Sequence, residues 1–335
     1  MRKYIIFLLL LILSTIIQCK KTTATKGEEQ KEYLVASGTF IQDFLVYNWD
    51  DAKWQQELSV LKEVKMKYIV FYASVYNNQS LYESELPGIT SKYNVDVLDR
   101  CLRNAERAGM KVFIGLNFHE DWWQPYTSSW LYEQMNIGNQ IASEIKEKYS
   151  EKYKNSFYGW YWAWEIDNLN YKTQSKQDML VNALNSNLNH LRSITPDMPV
   201  MLCPFMNYRL GSASEYSKMW TYIFSKTNFK AGDVFAPQDC IGADGLKIEM
   251  LDSWFYHLSK AVETKPGLLF WSDAETFVQS NWSPAPIERF VEQMKIVQPY
   301  VSGIITFAYS HYYSPVTVSG DYHQRYKNYL KTGKL

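Results

Sequence analysis

Short apolar runs alternate with longer amphipathic stretches along most of this chain. The runs fall at residues 36–43, 67–74, 111–117, 157–165, 199–205, 233–238, 267–273 and 303–308, each bounded by polar or turn-forming residues. That length and flanking predict buried strands. Between them, residues 51–65, 95–108, 130–153, 174–192, 215–225, 246–263 and 286–297 repeat apolar positions at helical spacing, and a short last helix is expected from about Asp321. In the first helix Trp54, Leu58 and Leu61 share a face; in the second, Asn94 is the expected N-cap and Gly109 the stop. Eight strands alternating with helices predict parallel βαβ units. The expected fold is a single α/β domain, a (β/α)8 TIM barrel over residues 34–335. An open doubly wound sheet is the competitor. No GxGxxG or GxxxxGK[ST] follows any strand, which weakens its dinucleotide- and nucleotide-binding versions.

The fourth run carries the most chemistry. Side chains alternate faces along a strand, so Gly159, Tyr161, Ala163, Glu165 and Asp167 share one side and Trp160, Trp162 and Trp164 the other. The first side suits a crowded barrel interior with an acid at its mouth; the Trp side suits a covering layer of helices. On the seventh run Leu269, Trp271, Asp273 and Glu275 share a face. The carboxyl ends of barrel strands are where such enzymes place their reacting groups, and the ends of strands four and seven face each other across the mouth. Glycoside hydrolysis needs two carboxyl groups flanking one bond. Glu165 is therefore the candidate general acid/base and Glu275 the candidate nucleophile, or the base of an inverting reaction. The plainer alternative is that these acids cap helices or pair with arginines.

The other strand ends supply a sugar pocket. Gln42, Asn117, His119, Gln238, Tyr309 and His311 are candidate sugar-binding groups, with Asp167, Asp239 and Asp273 orienting or tuning the two glutamates. Trp122, Trp123 and Trp282 are candidate stacking platforms, and Trp271 shares the inward face of strand seven. For each alone, loop packing or capping is an equal explanation; their convergence on one rim favours carbohydrate.

Composition narrows the classes. Lys+Arg and Asp+Glu are both 35, and no basic block tracks along the chain, which argues against nucleic acid. Aromatic residues make up 16%, enough to furnish both a core and stacking surfaces. Only five His are present and no CxxC or HExxH occurs, so neither a metal nor another cofactor is expected. A metal-assisted hydrolase using His119, Glu120, Asp121 and Asp239 is a third reading, disfavoured because catalytic zinc sites usually bring more than one His. Cys101 reads as a packing residue; Cys203 and Cys240 could pair if the protein is exported. Arg2 and Lys3 precede an apolar run to Leu13, and Cys19 closes it. This reads as an export signal of lipoprotein type over residues 1–19, with a polar tether at 20–33. The expected location is outside the cytoplasm, anchored by lipid at Cys19 to an outer membrane or cell surface; otherwise it is periplasmic or secreted.

Four stretches together resemble a known family: Gly-Thr-Phe-Ile-Gln on strand one, Trp-Glu-Ile-Asp on strand four, Ala-Pro-Gln-Asp-Cys-Ile-Gly on strand six and Trp-Ser-Asp-Ala-Glu on strand seven. They are similar to exported, glycosidase-like TIM barrels of bacteria, common in Bacteroidetes and grouped as a domain of unknown function. The resemblance spans roughly residues 37–314, most specifically Gln238, Asp239, Gly242 and the two glutamates. It implies a barrel with a role in polysaccharide breakdown. More distantly, Glu165 and Glu275 resemble the acid/base and nucleophile of the large retaining glycosidase clan. That clan usually places Asn before the strand-four Glu; here Trp164 stands there, and Asn117 or Asn168 are the candidate substitutes. The expected activity is glycoside hydrolysis; the alternative is a glycan-binding surface lipoprotein that kept the barrel and lost the reaction.

Overall fold

The eight apolar runs do form strands, and all eight close on one another. In the computed structural model, which describes residues 33–335, they are β1 (Gly38–Ile41), β2 (Tyr68–Phe71), β3 (Lys111–Gly115), β4 (Phe157–Trp162), β5 (Val200–Leu202), β6 (Val234–Phe235), β7 (Leu269–Glu275) and β8 (Gly303–Phe307). Every neighbouring pair is parallel, and β1 closes the barrel on β8 through Gly38–Ile305 and Thr39–Thr306. The helices follow in step: α1 (Asp51–Glu63), α2 (Val97–Ala108), α3 (Ser128–Tyr149), α4 (Gln174–Ile194), α5 (Ala213–Lys226), α6 (Leu251–Glu263), α7 (Ile287–Val297) and α8 (Tyr322–Thr332). The molecule is a single (β/α)8 TIM barrel. The export signal, Cys19 and residues 20–32 of the tether lie outside the described residues.

Strand four divides its aromatics as its alternation predicts. Trp160 and Trp162 face the helices, where their indole N–H groups donate to Thr195 Oγ1 at 2.9 Å and Asn187 Oδ1 at 2.8 Å. Burying rings of this size contributes on the order of 4–6 kcal/mol each, from roughly 150–250 Å² of surface. Tyr161 faces inward against Phe40 and Tyr72. A bulge between β3 and β4 turns Tyr158 inward as well, and it joins Tyr68, Phe113 and Trp271 in plugging the amino-terminal end. Trp271 fits because Gly303 faces it: a Cβ there would lie 2.7 Å from the indole.

One expected cap needs correcting, and one open alternative is settled. The cap of α2 is Asp96, whose side chain accepts from Asp99 N at 2.6 Å, rather than Asn94. Cys203 and Cys240 are buried free thiols, not a disulfide. Two additions at the carboxyl end had no visible periodicity because each strand is two residues long. Residues 75–76, 79–80, 90–91 and 117–118 form a small sheet, and 277–278 pairs with 283–284 in a hairpin after β7.

Candidate active site

The carboxyl ends of the strands surround a cavity of about 580 Å³. Glu165, Asp273 and Glu275 line it together with Gln42 and Gln238, and its walls are aromatic: Phe40, Tyr72, Tyr161, Phe205, Phe277 and Phe307. β4 stops at Trp162, so Glu165 sits on an extended segment beyond it. Trp122 fixes that segment by donating its indole N–H to the Glu165 carbonyl at 2.8 Å. Burial pushes the Glu165 carboxyl up to about 7, opposed by a hydrogen bond with Gln238 and helped by the charge of Glu120. A carboxyl with that affinity keeps its proton near neutrality, as a general acid must.

Glu275 is the last residue of β7, and its surroundings hold it in one pose. The Ala243 amide donates to Glu275 Oε2 at 2.7 Å. Gly242 makes that approach possible, since a Cβ there would lie 2.5 Å from Phe277 O and 2.9 Å from Glu275 Oε2. Below it, Asp239 Oδ1 accepts the Glu275 amide at 3.3 Å and the Ile241 amide at 3.2 Å, while Gln293 donates to Asp239 Oδ2. Arg289, one turn before Gln293 on α7, donates to the main-chain oxygens of Glu275 at 3.0 Å and Phe277 at 2.6 Å. Burial raises the Glu275 carboxyl, and the Asp239 charge raises it further; the amides of Ala243 and Gly242 and the Arg289 charge act the other way. Amide donation to a carboxylate favours the ionised form, so the loop after β6 offsets part of that rise, while burial and Asp239 still leave the Glu275 carboxyl well above its ordinary value.

Gln42, Gln238, Asp273 and Trp282 line the same cavity as the two glutamates. Trp282 is 59% exposed at the mouth and stacks on Phe277 at 5.2 Å. The remaining candidates lie elsewhere, each for a physical reason. Asn117 is buried and donates to Gln134 O and Oε1 under α3. His119 caps the turn at 120–123 by accepting the Asp121 amide. Trp122 is a core ring stacked on Tyr126, and Trp123 packs on Phe118 outside the cavity. Asp167 closes a turn through Leu169 N and Asn170 N. Asp239 is wholly buried under Glu275 and does not reach the cavity. Trp271 plugs the opposite end of the barrel. Tyr309 is buried, its hydroxyl paired with His323 Nδ1 at 2.8 Å.

His311 stands behind the lining, packed on Phe44 and Phe307. Burial lowers it to about 4, so it is a neutral acceptor for the Gln42 main-chain N–H at 3.3 Å and holds that residue's backbone in place. Asn168 is spent on both backbone groups of Asn207. The side-chain amide that acts on Glu165 is therefore that of Gln238, two strands along the barrel, rather than that of Asn117 or Asn168. Phe44, Tyr72, Phe205 and Gln279 also line the cavity, and no sequence motif marks them; Phe44 is 60% exposed at its mouth on a helical turn, Asp43–Val46, too short to show a periodicity. Among the described residues no group of three or more His, Cys, Asp or Glu is arranged to hold a metal ion.

The family described as a domain of unknown function, DUF4434, matches residues 36–319. The chain belongs to that family. No curated protein matches it. Among solved structures, the DUF4434 barrel is similar to a Bacteroides thetaiotaomicron VPI-5482 protein provisionally assigned as an alpha-L-fucosidase. The TM-score is 0.75 at 22% identity, over 94% of this chain and 98% of that one. It is also similar to the PgaB (BpsB) glycoside hydrolase domain from Bordetella bronchiseptica, with TM-score 0.57, 11% identity, and 82% and 94% coverage. The endo-beta-1,4-mannanase from Thermotoga petrophila gives 0.54 at 12% identity, covering 90% of this chain and 78% of the mannanase. At these identities the likeness establishes the barrel fold alone, and the chemistry has to be argued from the site.

Proposed function

We propose that the DUF4434 barrel is an exported glycoside hydrolase, lipid-anchored at Cys19, that cleaves glycosidic bonds in oligo- or polysaccharides. One observation carries the reading: Glu165 and Glu275 line the same aromatic-walled cavity at the carboxyl end of the barrel, and a main-chain amide of the loop after β6 reaches Glu275. Glu165 gives its proton to the glycosidic oxygen as the bond from that oxygen to the anomeric carbon breaks. Glu275 either attacks the anomeric carbon, forming an ester that water then hydrolyses with Glu165 as base, or takes a proton from an attacking water. The aromatic walls stack on the apolar sugar faces, and Gln42 and Gln238 read hydroxyls.

A hydrolysis screen of the purified protein on a broad glycan panel, with Glu165→Gln and Glu275→Gln beside it, tests the reading. Sugar release by the native protein, lost in both variants, is expected; full activity in either variant refutes the assignment. Export and anchoring are tested by labelling cells with a radioactive fatty acid, where native protein but not Cys19→Ala carries label. The second reading, a glycan-binding lipoprotein without catalysis, draws on the burial that raises Glu275 as well as Glu165. Retention of a glycan with equal affinity by native protein and double variant, without release, would favour it.

A further inference from the structure

The two-carboxylate scheme leaves Asp273 without a task. It lies on β7 two residues before Glu275, on the same inward face, and lines the cavity from deeper in the barrel. It is 2% exposed, and its Oδ1 has no hydrogen-bond partner among the described residues. Buried acceptors left unpaired are rare in folded proteins, and each calls for an explanation. No internal cation supplies one. Among the described residues, the lining of the cavity includes three carboxyl groups and no Lys, Arg or His. The nearby guanidinium of Arg289 is committed to main-chain oxygens and Gln293. Burial and the charges of Glu275, Asp239 and Glu165 hold the Asp273 carboxyl well above the usual range. A hydroxyl or ammonium donor entering this space favours the ionised form of Asp273 and finds an acceptor in its unpaired oxygen, whereas an added anion finds no cation to pair with and makes ionising the three carboxyls costlier still.

We propose that Asp273 is a substrate-binding carboxyl at the cavity floor, accepting a hydrogen bond from a hydroxyl or ammonium group of the bound sugar, so that the site takes neutral and amino or imino sugars and rejects uronic acids. The inference rests on the sugar-binding part of the reading above and narrows its substrate class. Asp273 discriminates here through charge, the aromatic walls through shape.

The test is calorimetric binding at neutral pH of 1-deoxynojirimycin and its galacto, manno and fuco isomers, their parent monosaccharides, and glucuronic and galacturonic acids. At least one iminosugar is expected to bind about tenfold or more tightly than its parent sugar, the scale of a charge-assisted hydrogen bond. Neither uronic acid should bind. The isosteric Asp273→Asn should lose that preference about tenfold; Asp273→Ser serves if Asn does not fold, and the ranking by the native protein stands independently of both. Binding of a uronic acid as tight as that of the neutral sugars, an unchanged ranking in the variant, or no binding anywhere on the panel overturns the proposal. Hydrolysis is scored separately: an intact ranking without glycan cleavage overturns the hydrolase reading alone.

Discussion

Replacing Glu165 with Gln should stabilise the folded protein at alkaline pH while removing its activity. The folded carboxyl holds its proton up to about 7, against an ordinary value of 4.5, and burial is the main cause. Between those pH values the folded state binds more protons than the unfolded chain, so its stability falls as pH rises. Below 4.5 Glu165 is neutral in both states and adds no such penalty; above 7 the whole penalty is present. The gap amounts to about 3 kcal/mol at ~1.36 kcal/mol per pH unit. Glu165 lines the open cavity and keeps part of its surface accessible, so solvent screening makes about 3 kcal/mol the upper end of the effect. Gln has the same shape and no charge to desolvate. Thermal melts of native protein and Glu165→Gln at pH 5 and pH 8 are the assay. At pH 8 the variant should melt up to about 5 °C higher, given the unfolding entropy of a domain this size, and at pH 5 the two should differ little. The Asp273 carboxyl, raised in part by Glu165, should move back toward its ordinary range in the variant. On a cleavable glycan the variant should lose about 10²–10⁴-fold in kcat, the usual worth of a general acid, and native activity should decline above pH 7 as Glu165 ionises. A variant less stable than native at pH 8, or equally shifted at both pH values, would refute the argument from burial.

Glu57 offers a control away from the cavity. It is fully buried on α1, bonded by Ser314, and raised to about 7 by desolvation. Glu57→Gln should therefore gain a comparable ~3 kcal/mol in pH 8 melts with activity unchanged, because the same pH gap applies. Gly242→Ala places a Cβ against Phe277 O and Glu275, so the 241–243 segment must withdraw and the Ala243 bond is lost. Its kcat should fall about 10–100-fold, the worth of a hydrogen bond to a charged group, in steady-state kinetics; an unchanged kcat would show that the bond is dispensable. Trp282→Ala should raise KM by about two- to tenfold for oligosaccharides, matching ~0.5–1.5 kcal/mol of ring stacking, and leave kcat near native. A fall in kcat alone would place Trp282 in the chemistry instead.

The barrel was legible because its signals are long and repeated. Eight apolar runs separated by helical patterns leave few topologies, and period-two alternation correctly sent Trp160 and Trp162 outward and Tyr161 inward. Glu165 and Glu275 were legible as acids at strand ends. Direction within loops was not. Trp122, Trp123 and Trp282 look alike as loop tryptophans, yet one is core, one packs on Phe118 and one guards the mouth, since indole rings serve equally at buried and half-wet sites. Trp271 has the parity of an inward residue, but parity does not say which end of the barrel it fills. Asn94 and Asp96 are both good caps, and only the backbone at Asp99 decides between them. Gly242 was marked by resemblance; its reason, room for a main-chain amide to reach Glu275, exists only in three dimensions.

Arg289 and Gln293 hold the end of β7 from behind, one helical turn apart on α7, and neither lines the cavity. The position of the Glu275 carboxyl is thus inherited from the outer layer. In evolutionary terms, the Glu275 pose is a joint property of a strand, a helix and the loop after β6. A descendant lineage that abandons the chemistry is free to lose all of these at once, whereas one that keeps it must vary them together. Substitutions at 239, 242, 289 and 293 should therefore travel as a set, and a barrel carrying the two glutamates without that set has both carboxyl groups but not the scaffold that poses Glu275.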